Sequence, residues 1–428
     1  MSSNRSKFKA KSQKPNASSK RLRVLISAYA CEPGKGSEPG VGWNVATEMA
    51  KLHDVWLLTR ANNREVIEEA LAKRPVSGLR FIFYDLPKWA CWWKKGGRGV
   101  QLYYYLWQQF CWRVVREAYD QNHFDLTHHV TFGKYWVPSV LPRLPIPFVF
   151  GTVGGGESMP HAFFKDLNIK ERAFETFRSF ARWLGEHNPS VCNTARKSAI
   201  ALASTSETAT RLRRLGCHNI QVVPQCALTS EQLDQLGLLP HSPSNCLRFI
   251  SMGRPSHWKG FYLGLKAFAV AELSGAEYWI IANGSGKLRL ECLAKKLGII
   301  DKVRFFGPLS SLGAVYDVLS QCHVLVHPAL HEAFGNVVLE AMGAGRPVLT
   351  LDIGGPALQV VDGSGFKASS KSPGLAVEEL ARAMVEFSED RQLLLRMGQN
   401  ARSAVEKNMT WNTRIEELSA AYAFAIDR

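Results

Sequence analysis

The sequence has no paired-cysteine motif. Its nine cysteines, at 31, 91, 111, 192, 217, 226, 246, 292 and 322, are scattered, and none stands in CxxC spacing. The odd count and the scatter exclude a disulfide framework and a structural zinc site of ordinary spacing. Buried reduced thiols are the expectation. No apolar run approaches the ~18 residues that a membrane-spanning helix needs. The opening residues lack the apolar middle segment of a secretory signal. A soluble chain kept in the cytoplasm is therefore expected. Asp-x-Asp is absent, which removes the usual carboxylate pair for a metal. GxxxxGK[ST] is absent, so there is no P-loop, and there is no Gly-x-Ser-x-Gly elbow. The nearest approach to GxGxxG is "GVGWNV" at 40–45, which lacks its last glycine.

Charge is present in excess of one sign. The formal net charge is +16 over 428 residues. Half of that excess sits in residues 1–23, which hold eight Lys or Arg and no acid. With almost no apolar content, the tail 1–21 cannot bury itself and is expected to be disordered. Such an arm suits nucleic acid, an anionic membrane, or solubility alone. A second biased stretch, 87–119, holds five of the twelve tryptophans and six Lys or Arg, with Glu117 as its only acid. Tryptophan and tyrosine favour the membrane–water boundary and basic residues favour anionic headgroups, so the segment reads as a membrane-docking surface. The alternative is an aromatic core helix with a basic outer face.

Short apolar runs rich in β-branched residues recur between stretches of helical spacing. They fall at 23–30, 54–60, 79–86, 125–131, 147–155, 199–205 and 220–225. A second series follows at 247–253, 277–284, 303–309, 323–329 and 347–355, with helices at 260–273, 286–297, 311–320, 335–343 and 376–387. Continuous apolar strands are the mark of parallel sheets covered on both faces, and the alternation reads as repeated βαβ. The fold class is α/β, with two tandem doubly wound Rossmann-like domains at 22–226 and 227–408. A helix in 409–428 is placed to cross back onto the first domain. Ligands bind such sheets at the carboxyl ends of the strands, which here face a central cleft.

Two loops carry candidate chemistry. "SMGRPSHWKG" (251–260) follows a strand and offers Arg254 and Lys259. A guanidinium fork and an ammonium point charge suit a diphosphate; the alternative is a solvated basic loop. "HEAFGNVVLEAMGAGRPVLT" (331–350) has Glu332 in a loop and Glu340 on the helix that follows. The helix start leaves the amides of 333–336 free for an anion, and Gly335 permits close approach of a ligand. A carboxylate at Glu340 can accept from a ribose diol, and Glu332 from a sugar hydroxyl.

Together these motifs, with "GAGRPV" and "DIGG" (352–355), resemble the C-terminal half of retaining glycosyltransferases of the GT-B fold, family 4, the group 1 glycosyltransferases. "SAYACEPGKGSEPGVGWNVATEMA" (27–50), "HHVTF" (128–132) and "GTVGGGE" (151–157) resemble one branch of that family. The likeness spans most of residues 22–425. It implies that a nucleotide-sugar donates its sugar to a hydroxyl of a glycan or lipid-linked acceptor, with retention, in polysaccharide or glycolipid biosynthesis. It implies that Glu340 binds the ribose, that Glu332 holds the donor sugar, and that Arg254 and Lys259 neutralise the diphosphate without a metal or other cofactor. Phe334, Gly335 and Asn336 would line the donor site. Gly40 and Gly42 would form a loop near the diphosphate and acceptor, with Glu157 on the acceptor side. One of His128 and His129 would face the donor sugar; adjacent strand residues point to opposite faces, so both stay open. Peripheral attachment to the inner face of the plasma membrane is a further expectation, and no nucleic-acid partner is expected. The competing readings are a nucleotide-sugar 2-epimerase on the same fold and a basic nucleic-acid-binding protein. The second is disfavoured because the aromatics and the basic tail are not interleaved.

Overall fold

The computed structural model describes residues 21–94, 96, 98–240, 244–282 and 284–428. The basic tail therefore lies outside the described residues except for Arg21, whose guanidinium donates to the carbonyls of Ala50, Lys51 and His53.

The first sheet contains β1 (Arg23–Ala28), β2 (Asp54–Thr59), β3 (Leu79–Phe83), β4 (Leu126–Thr131), β5 (Phe148–Val153), β6 (Ile200–Ala203) and β7 (Ile220–Val222). The strands run parallel in the order β3-β2-β1-β4-β5-β6-β7. Both faces are covered, by α1 (Ser37–Ala50), α2 (Arg64–Lys73), α3 (Val100–Phe110), α4 (Trp112–Asn122), α5 (Ile169–Glu186), α6 (Pro189–Lys197) and α7 (Ser206–Arg214) and the loops between them. Helix α8 (Ser230–Gly237) opens the second domain. Its sheet contains β8 (Leu247–Met252), β9 (Ala276–Ile281), β10 (Val303–Phe306), β11 (Val324–His327), β12 (Val348–Leu351) and β13 (Gly365–Ala368). These run parallel in the order β10-β9-β8-β11-β12-β13. Around it pack α9 (Phe261–Val270), α10 (Ser285–Lys296), α11 (Leu312–Ser320), α12 (Asn336–Gly343), α13 (Gly354–Gln359), α14 (Pro373–Glu389) and α15 (Arg391–Asn408). In each sheet the strand order reverses direction once, between β1 and β4 and between β8 and β11. Those are the topological switch points where ligands bind in open α/β sheets.

The chain crosses between the domains more than once. The last helix, α16 (Trp411–Ile426), buries Trp411, Leu418, Ala421, Tyr422 and Ala425 in the core of the first domain. In the other direction, Met159, Phe163 and Leu167, from the segment after β5, join the core of the second domain. The domains thus exchange apolar segments, and burial of these side chains resists their separation.

Of the nine cysteines, all free, Cys31, Cys111, Cys217, Cys226 and Cys322 are buried, whereas Cys292 is exposed on α10. No helix among the described residues is long and apolar enough to cross a membrane.

Candidate active site

The loop after β8 and the loop after β11 flank the switch point of the second sheet. The first carries Arg254 to Lys259, closed by Gly260 at φ +67°, where a Cβ would strike the carbonyl of Pro328 on the second loop. That contact binds the two loops together. Lys259 Nζ forms an ion pair with Glu332 Oε1, and the other carboxylate oxygen accepts from His327 Nε2 at 2.7 Å. Burial pushes the Glu332 carboxyl up, but the opposing charges and hydrogen bonds of His327 and Lys259 prevail and bring it down to about 2. Glu332 is therefore a fixed anion.

Arg254 is exposed, and among the described residues its side chain has no ion pair or hydrogen bond. The loop after β11 leads into α12. Gly335 is its N-cap, in extended conformation, with no side-chain cap. Among the described residues the amides of Ala333, Phe334, Gly335 and Asn336 donate to no protein acceptor. The "DIGG" glycines support this loop from behind. Gly355 N donates to the Glu332 carbonyl at 2.8 Å. A Cβ on Gly355 would come within 2.2 Å of the Ala333 carbonyl. Gln359, buried next to Gly335, leaves both ends of its amide without a protein partner.

Glu340 lies one turn further along α12, half-buried and without a side-chain partner among the described residues. Burial alone pushes its carboxyl up to about 7. An acid left in this state is costly to the folded chain and ready to accept hydroxyl donors. The switch point thus gathers a free guanidinium, a paired ammonium, an uncapped helix start and an unpartnered carboxylate. That set suits a diphosphate joined to a polyhydroxylated group.

The first domain corrects several expectations. His128 and His129 lie inside β4, fully buried. His128 bonds to the Tyr422 hydroxyl at 2.7 Å through Nδ1 and to the Gly151 carbonyl through Nε2. His129 bonds to Tyr104 and Ser139, each at 3.2 Å. Burial lowers them to about 4 and about 3, and both are partnered inside the core. Gly40 and Gly42 are not in a loop but in the first turns of α1. Cβ atoms there would strike the carbonyls of Lys35, at 2.0 Å, and Ala30, at 2.2 Å, so the glycines seat the helix on the β1–α1 loop. Glu157 is buried. Its carboxylate accepts from the Gly155 amide, Thr205 and Thr208, which leaves it no role as an open acceptor ligand.

Other residues emerge that sequence reasoning passed over. Glu38 accepts from the Gly133 amide at 2.9 Å at the first sheet's switch point, where burial raises its pKa. Glu175 on α5 reaches across to the second domain, where His257 Nε2 at 2.8 Å and His331 Nε2 at 2.9 Å both meet its Oε1. The ligand atoms of these three residues lie within 4.8 Å of one another, a spacing compatible with a cation, and in this arrangement hydrogen bonds join them. Gly154 touches the loop after β11 directly, since a Cβ there would lie 2.7 Å from that of Ala333.

Comparison with known proteins agrees with this geometry. Residues 241–404 match the family described as Glycosyl transferases group 1. A D-inositol 3-phosphate glycosyltransferase of Streptomyces avermitilis is 35% identical over 148 residues, 34% of this chain and 31% of that protein. The lipopolysaccharide core biosynthesis glycosyltransferase LpsE of Rhizobium meliloti is 31% identical over 163 residues, 37% of this chain and 44% of that protein. The chain therefore spans less than half the length of these curated relatives. Among solved structures, a glycosyltransferase from Rickettsia africae aligns with TM-score 0.64 at 15% identity, covering 94% of this chain and 98% of that one. HepE of Anabaena, solved in complex with UDP-glucose, aligns with TM-score 0.59 at 16% identity, covering 94% and 100%. The chain thus has the GT-B fold of these solved glycosyltransferases, and its residues 241–404 match the group 1 glycosyl transferase family.

Proposed function

We propose that the chain is a retaining, metal-independent glycosyltransferase that moves a sugar from a nucleotide-sugar to a hydroxyl of a glycan or lipid-linked acceptor. One observation supports this reading: the loop with Arg254 and Lys259 and the loop and helix start with Glu332 and Glu340 flank one switch point, joined by the Lys259–Glu332 ion pair. In the proposed complex the diphosphate lies between Arg254, Lys259 and the amides of 333–336. The ribose hydroxyls donate to Glu340, and hydroxyls of the donor sugar donate to Glu332. The acceptor oxygen bonds to the anomeric carbon on the face that the phosphate leaves. The leaving phosphate oxygen takes the acceptor's proton. Two side-chain cations and four amides then stabilise the charge that builds on the diphosphate. The names of similar proteins, which include a lipopolysaccharide core enzyme, support a glycan acceptor. A thermal-shift screen of nucleotide-sugars, UDP-glucose first, selects the donor. Sugar transfer with retained anomeric configuration in the presence of EDTA is the expected outcome. Epimerisation without an acceptor, or activity that EDTA abolishes, would contradict it.

A lipid-linked acceptor calls for a membrane surface, and the exposed aromatics support one. In the segment 87–119, Tyr103, Tyr104 and Trp107 are core residues, but Trp89 and Trp92 are about four-fifths exposed. Helix α5 leaves Phe177, Phe180, Trp183 and Leu184 at least half exposed. The two surfaces adjoin: Lys134 bonds to Gln101 at the start of α3 and lies over Trp136, and Trp136 packs on Gly185 of α5. The protein is expected to sediment with anionic vesicles at low salt. Phe177→Ser with Trp183→Ser should weaken that binding about tenfold, since each removes a large apolar group from the boundary layer. Equal binding by the variant would rule out α5 as the docking face.

A further inference from the structure

We propose that Glu175 is a positioning residue that holds both donor-side loops from across the cleft. Where it concerns transfer, this rests on the function proposed above. His257 stands two residues before Lys259, and His331 immediately precedes Glu332. One carboxylate oxygen on α5 accepts from both. The Lys259–Glu332 pair therefore sits on two loops whose ends are fixed to a single atom of the other domain.

Aromatic contacts follow the same line. Phe174, one residue before Glu175, stacks on Trp258 with centroids 5.6 Å apart, and Trp258 stacks on His331 at 5.8 Å. Behind Glu175, Arg178 lies 3.6 Å from its second oxygen and donates to the Glu157 carbonyl at 2.8 Å. Glu157 in turn is fixed by Gly155, Thr205 and Thr208. A continuous chain of polar contacts thus runs from the loop after β5 to the two donor-side loops. Separation of the domains would break it at Glu175 and free Lys259 and Glu332 to move. Glu340 lies on α12 outside this chain, so the ribose contact is separable from the positioning of the two loops.

Hydrogen–deuterium exchange on the full chain without ligand tests the clamp independently of activity. Glu175→Ala should speed exchange of the bonded amides in 256–260 and 329–330 about tenfold, with the strands of both sheets unchanged. Glu175→Gln keeps an acceptor oxygen and should restore most of the protection. In the transfer assay, Glu175→Ala should lower kcat about tenfold or more and also weaken UDP binding, because the released loops hold the diphosphate, and Glu175→Gln should restore most of both. Unchanged exchange in both loops, or a uniform rise along the chain, would overturn the proposal. So would release of both loops in the parent protein by EDTA, since a cation would then join the three residues. Clamped loops in a chain that transfers no sugar would leave the clamp standing and the proposed function refuted.

Discussion

Lys259→Ala is expected to lower turnover about 10²- to 10³-fold with the fold intact, the usual cost of deleting one preorganised donor to a developing oxyanion. Arg254→Ala should fall in the same range. The two differ in their side effects. Arg254 has no side-chain partner among the described residues, whereas Lys259 shares Glu332 with His327. Without Lys259, the Glu332 carboxyl should rise from about 2 towards its ordinary value of 4.5. A depressed acid stabilises the folded state above its unfolded pKa, and that contribution is lost as pH falls through the folded one. The parent protein should thus lose this contribution between about pH 4.5 and about 2, and Lys259→Ala should have less of it to lose. Lys259→Arg should rescue only partly, because a planar fork replaces a compact ammonium at Glu332. Near-parental turnover in both alanine variants would contradict the assigned roles.

Glu340 should show opposite effects on binding and stability. Glu340→Ala removes the acceptor assigned to the ribose and should weaken nucleotide binding about ten- to hundredfold, at the scale of hydrogen bonds to a charged group. Glu340→Gln should stabilise the unliganded protein. Burial raises the folded carboxyl from 4.5 to about 7, so between these values the folded chain keeps a proton that the unfolded chain has released. Stability then falls as pH rises through that window and stays reduced above it. The Gln variant, which cannot ionise, should gain Tm over the parent at pH 8 and lose the gain near pH 4. Nucleotide affinity of the parent should rise with pH through about 7, because the ionised carboxylate is the stronger acceptor. Unchanged affinity in Glu340→Ala would refute the ribose assignment. A Tm gain equal at both pH values would refute the buried-acid account.

Much of this was legible in the residues because parallel strands buried on both faces write themselves as apolar runs. Every strand expected in both series is present, each ending at or before its expected last residue, with β9 beginning one residue early. β13 escaped because "GFKA" is four residues long with an exposed lysine, too short and too broken to register as a run. The donor-side loops were readable for another reason: their cations, acids and glycines lie within two short stretches. Glu175 was not readable, since its partners are 82 and 156 residues away and only the fold brings them together. Its helix was within reach, because the i, i+3, i+7 spacing of Phe177, Phe180 and Leu184 on α5 marks an amphipathic face. His128 and His129 were singled out by the resemblance of "HHVTF" to one branch of the family, and a local pattern does not show their surroundings. They are instead partnered inside the core, by Tyr422 and the Gly151 carbonyl and by Tyr104 and Ser139. Gly40 and Gly42 looked like loop glycines, but they serve close packing of a helix, a demand that a local pattern does not reveal.

The most direct measurement is a crystal structure of the full chain with UDP-glucose, or with the nucleotide-sugar of largest thermal shift, grown without divalent ions. The diphosphate should lie against Arg254, Lys259 and the amides of 333–336, with the ribose on Glu340. A donor bound away from that switch point, or one that appears there only when magnesium or manganese is added, would contradict the account.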